Sequence, residues 1–202
     1  AAISIAPGGT HYWVGGSGTW NTTSSSNWSF SSGGAAGAPP PASFDAVIFD
    51  QASTYTVTLT GALVCTDMTV SAGTVTFSST GTINNKGSLS LSSGTVWSAT
   101  GTMTFSATAS GKTITTNGTS LSCGVTFNGS GGAWTLSDAL TTTNQITLTA
   151  GAFSTSASNY ALTTRNIVLQ GATLNLNGST CTLTATTTVN PFSRTSGTLS
   201  AG

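Results

Sequence analysis

Apolar and hydroxyl-bearing residues alternate along most of this chain. In Tyr55-Thr56-Val57-Thr58-Leu59, Val75-Thr76-Phe77, Leu89-Ser90-Leu91 and Ile146-Thr147-Leu148 every second residue is apolar, and Thr or Ser lies between. A period of two sends alternate side chains to opposite faces of a strand, so each run predicts a short strand with one buried and one hydroxylated face. No segment carries the 3.6-residue apolar period and end signals that a helix needs. The strands recur behind small Gly-containing turns. Examples are Gly73-Thr74-Val75-Thr76-Phe77, Gly94-Thr95-Val96-Trp97, Gly132-Ala133-Trp134-Thr135-Leu136, Gly151-Ala152-Phe153 and Gly171-Ala172-Thr173-Leu174. These units are spaced almost evenly, except that the interval from Gly94 to Gly132 is twice the rest. Gly111-Lys112-Thr113-Ile114 sits inside it.

A repeat of about 20 residues predicts an all-β chain coiled into a β-solenoid. About eight rungs are expected, near 44–63, 64–82, 83–102, 103–121, 122–140, 141–162, 163–183 and 184–202. Stacking would let a weakly hydrophobic chain bury one continuous apolar column. Asn-Gly pairs at 117–118, 128–129 and 177–178 predict tight corners, because Gly and Asn tolerate a positive φ. The competing architecture is an antiparallel β-sandwich with hairpins at those pairs. Equal spacing over many units favours the solenoid.

Residues 1–43 differ from the rest. They hold His11, Trp13, Trp20 and Trp28, and end in Gly/Pro-rich sequence from Ser31 to Pro41. The expected organisation is a Trp-rich N-terminal cap and linker over 1–43, then a repeat domain over 44–202. The opening Ala1-Ala2-Ile3-Ser4-Ile5-Ala6-Pro7 lacks the basic n-region of a signal peptide.

Composition narrows the partners. Four Asp, two Lys and two Arg give zero net charge, and there is no Glu. Average domains are about one-quarter charged; here 31 Ser and 42 Thr provide the polar surface instead. So few cations cannot form a phosphate-neutralising patch or an electrostatic membrane anchor, and neither nucleic acid nor membrane is an expected partner. Cys65, Cys123 and Cys181 are equally spaced along the chain. That spacing predicts equivalent, buried, unbridged positions three rungs apart. No CxxC or His cluster points to a metal, and no cofactor is expected.

Catalysis is weighed on the four carboxylates. A glycosidase needs two flanking one bond. Asp45 and Asp50 have opposite strand parity, whereas Asp67 and Asp138 are several rungs apart. His11 has no oriented acid or nucleophile elbow beside it in sequence. The expectation is therefore no enzyme activity and no catalytic residue. Asp45 and Asp50 are expected to satisfy backbone donors near the cap. Trp97 and Trp134 lie on the apolar phase and are expected in the core. Trp13, Trp20 and Trp28 are candidates for cap packing or, alternatively, for stacking against a glycan or partner. Asn21, Asn27, Asn117, Asn128 and Asn177 head Asn-x-Ser/Thr triplets, and turn chemistry accounts for the last three.

The run Tyr12-Trp13-Val14-Gly15-Gly16-Ser17-Gly18-Thr19-Trp20, then Asn27-Trp28-Ser29 and Phe44-Asp45-Ala46-Val47-Ile48-Phe49-Asp50, resembles the opening of β-solenoid segments in phage virion proteins of the tail-fibre, spike and decoration kind. Large bacterial surface adhesins carry similar repeats. The resemblance implies a non-enzymatic structural protein located in a virion, used for assembly or host-surface attachment. Its implied partners are other virion proteins of capsid or tail, further copies of itself (a trimer would suit a fibre), and a host-surface glycan. The alternatives are a segment of a bacterial cell-surface adhesin or extracellular filament, and a carbohydrate-binding module using exposed Trp.

Overall fold

The computed structural model describes residues 8–186 and 190–201. Residues 1–7, on which the signal-peptide expectation rests, lie outside the described residues, as do 187–189 and 202 of the expected last rung.

Every described regular element is a strand, and the strands stack in parallel into a β-solenoid of about seven turns. The sandwich alternative fails on strand direction: Thr10–Trp13 with Trp28–Ser29 is the one antiparallel pair among the described residues. Each coil has three faces. The first full coil runs through Ala46–Phe49, Thr54–Leu59 and Ala62–Cys65. The next runs through Met68–Val70, Thr74–Ser78 and Thr82–Asn85, each beside its counterpart one coil earlier. From Val125–Leu136 onward the third face of one coil continues into the first face of the next as a single bent strand. That continuity joins the first and third faces into one 13-stranded sheet, while the second face forms an 8-stranded sheet.

The alternation in sequence becomes ladders in space. On the third face Leu63, Ile83, Met103, Val125, Ile146 and Ile167 stack in register, all buried. On the second face Val57, Phe77, Trp97 and Leu121 do the same. Aromatic rings run down the column: Phe105 to Phe127 is 5.2 Å and Phe127 to Phe153 is 4.4 Å between centroids. Trp97 and Trp134 are buried there as expected, and the Trp134 Nε1–H donates to the Gly87 carbonyl at 3.2 Å. At the corners buried Thr hydroxyls donate to carbonyls of neighbouring coils: Thr142 to Cys123 at 2.7 Å, Thr164 to Asn144 at 2.6 Å, Thr155 to Leu176 at 2.7 Å. Buried carbonyls need such partners.

Four expectations need correction. The step between stacked residues is not constant: Trp134 stacks on Phe153, whereas Leu174 reaches over a distinctly longer stretch of chain to stack on Leu199. For the same reason the cysteines are not equivalent. Cys65 ends a third-face strand, and Cys123 lies at the corner before Val125–Leu136. Cys181 opens a second-face strand, where it is only half-buried. Their constant interval falls short of three real coils, so each cysteine slides back along its coil. The recurrent Gly unit also marks two different corners. Gly73 and Gly94 precede second-face strands, while Gly111, Gly132, Gly151 and Gly171 precede or enter first-face segments. Of the Asn-Gly pairs, Asn117 and Asn177 take positive φ (47° and 49°), but at 128–129 the left-handed residue is Gly131.

Candidate functional site

The tryptophans singled out from sequence are brought together, and inward. Trp13 and Trp28 pair across the antiparallel ladder with centroids 5.1 Å apart, and Trp20 lies 5.3 Å from Trp28. Phe49 of the first full coil packs against all three. Each Trp is essentially fully buried. Stacking on a glycan needs an exposed ring face, and these faces are occupied by one another. Gly37 and Ala38 donate backbone N–H groups to the Trp28 carbonyl, both at 3.0 Å, so the Gly/Pro-rich stretch folds back over this cluster.

His11 heads a first-face ladder, stacked on Val47 and enclosed by Trp28 and Phe30. Its Nδ1 lies 3.8 Å from the Asp45 carboxylate, and both ring nitrogens are buried without a hydrogen-bond partner. Burial holds its pKa below the ordinary 6.5, and the nearby Asp45 charge opposes that shift only in part.

Three carboxylates bind the backbone. Asp45 accepts from Gly9 N and Ala42 N, both at 2.8 Å. Asp67 accepts from Ser88 N of the next coil at 2.6 Å. Asp138 accepts from Thr116 N at 2.8 Å and from Asn117 N. Asp45 thus behaves as expected; no hydrogen bond of the Asp50 carboxylate enters the described network. Cys65 and Cys123 are buried, and burial raises both thiols, Cys123 to about 11.

A concave surface lies elsewhere, along the corner where third face turns into first. Ser43, Phe44, Thr66, Lys86, Ser106, Ala107 and Thr108 line a groove of about 300 Å³. These residues come from four successive coils linked by backbone bonds, Thr66 N to Asp45 O at 2.7 Å, Lys86 N to Cys65 O at 2.9 Å and Ser106 N to Asn85 O at 2.9 Å. Phe44 is 62% exposed, and the Lys86 ammonium stands over its ring, 5.7 Å from the centroid. The Ser106 hydroxyl donates to Asn84 Oδ1 at 2.5 Å, which commits its proton and leaves its lone pairs to accept. The turn at 129–132 packs closely on Ala107. A Cβ on Gly129 or Gly132 would meet the Ala107 carbonyl oxygen at 2.0 or 2.1 Å, so only glycine lets this turn lie so close.

Sequence reasoning missed this groove, although a signal existed. Val47 and Phe49 fix the inward parity of their strand, and Phe44 is out of phase with them. Lys86 likewise directly follows the inward Asn85. What the sequence withholds is the length of each coil, and it is those lengths that bring positions 44, 66, 86 and 106 into one line.

The fold and its groove define a three-faced β-solenoid bearing a shallow mixed-polarity cleft. Compared with known proteins, the chain matches no family model, no curated protein and no solved structure.

Proposed function

We propose that the chain is a non-enzymatic structural element of a virion, a fibre, spike or decoration that presents a neutral, hydroxyl-clad rod for assembly or attachment. The observation that carries this reading is how the polar chemistry is used. Asp45, Asp67 and Asp138, three of the four carboxylates in the chain, tie backbone donors at the corners. Side chains with acid–base capacity thereby serve the coil and do not converge on one reacting centre, as a two-carboxylate hydrolase requires. The resemblance of the 12–50 segment to phage solenoid openings supplies the virion part of the reading. Contacts made by so uncharged a surface lose little to salt, because there is little Coulomb attraction to screen.

Electron cryomicroscopy of native particles tests it. A rod of about seven coils standing on capsid or tail is the expected result. The same rod found only on bacterial envelopes overturns the virion reading in favour of an adhesin segment.

A further inference from the structure

We infer that the groove beside Phe44 and Lys86 is a binding site for an uncharged saccharide. The inference rests on the groove itself and holds whichever surface carries the rod.

A pyranose has an apolar C–H face and a rim of hydroxyls. The groove offers the complement of both. Phe44 is one of the few large apolar side chains left open to water, on a chain whose alternation otherwise turns such residues inward. Beside it, Lys86 is half-buried and supplies ammonium donors. Among the described residues it forms no ion pair, the one contact at that distance being His11 with Asp45. Ser43, Thr66, Ser106 and Thr108 add hydroxyl groups. At about 4.8 Å per coil, the line from Phe44 to Ser106 spans about 14 Å, the length of a short oligosaccharide. The volume of about 300 Å³ is at the small end for ligand pockets.

The charges argue for a neutral ligand. Asp67 lies on the same corner as Lys86 in the adjoining coil, and Asp45 lies one coil further. Two carboxylates near one ammonium leave the corner without a net positive field, so an acidic sugar is expected to gain nothing over a neutral one. Lys86 then acts as a hydrogen-bond donor to hydroxyls and not as an anion trap.

The test is titration of isotopically labelled protein with neutral trisaccharides of glucose, galactose and mannose, with trigalacturonate as the acidic comparison, at low and high salt. At least one neutral sugar is expected to shift the amides of 43–44, 66, 86 and 106–108 at millimolar concentration. Phe44→Ala should weaken that binding about tenfold. Lys86→Met should weaken it several-fold, with no salt dependence in the wild type. Thr108→Trp, at an exposed position, should block it while leaving the melting temperature unchanged, which guards against misfolding as the cause. The inference is overturned if no neutral sugar shifts these amides. It is equally overturned if binding survives both Phe44→Ala and Thr108→Trp, or if trigalacturonate alone binds in a salt-sensitive way.

Discussion

The first and last described coils of the column are dressed in opposite ways. At the first coil, Trp13, Trp20 and Trp28 cover the apolar interior, and Trp28–Ser29 lies antiparallel along the outer edge of Thr10–Trp13. At the other end Phe192–Ser200 is the outermost described strand, and Leu199 on the ladder after Leu174 is 38% exposed. There the third-face ladder that runs through Phe105, Phe127, Leu148 and Leu169 meets Arg194, whose guanidinium donates to the Gly197 carbonyl at 2.7 Å. The first coil uses aromatic area; the last described coil places a charge where an apolar residue would continue the stack. A charge on a strand edge discourages indiscriminate pairing without covering the edge. Stability and edge protection are therefore separable in a solenoid, where each coil touches only its neighbours.

The sharpest way to break this comparison is Trp28→Ala. Removing a fully buried Trp should cost about 3–5 kcal/mol, whereas Leu199→Ala in the last described coil, where the side chain is partly exposed, should cost under about 1 kcal/mol. Urea denaturation followed by circular dichroism compares them, and equal costs would refute the contrast. Next comes pH. Free His11 titrates near 6.5 and the folded group lies lower, so the unfolded chain takes up the proton first as pH falls. Stability should be flat above about 6.5, fall as pH drops toward the folded pKa, and level off below it. His11→Leu should remove that slope; an unchanged slope would detach it from the Trp cluster. A smaller effect is expected from Arg194→Val, which should raise self-association in sedimentation at unchanged secondary structure. Smallest of all is a labelling difference. At mildly alkaline pH in the native state Cys181 should react with a thiol reagent while Cys65 and Cys123 stay protected, since only Cys181 is partly exposed. Equal reaction of all three would mean that the column opens throughout.

Much of this fold was legible because period-two alternation survives coiling. Val57, Phe77 and Trp97 are inward in sequence phase and inward in space. What the sequence conceals is which corner a given glycine turns. Gly94 and Gly111 look alike, yet one opens a second-face strand and the other a first-face strand. A regular interval between cysteines misleads in the same way, because side-chain parity fixes facing but not position along a coil. The groove was harder still. Phe44 and Lys86 stand two coils apart in the chain, and nothing local joins them. Their meeting depends on the lengths of the intervening coils, which alternation does not encode.

Uneven step length has an engineering corollary. The corner at 155–161 between first- and second-face strands is longer than its counterpart at 50–53. Lengthening a loop carries only a slowly growing entropic penalty. A foreign peptide spliced between Ser156 and Asn159, both already in left-handed backbone, would hang from the flank with the strands above and below still in register. At this corner the coil would carry cargo at one level without asking the neighbouring levels to change.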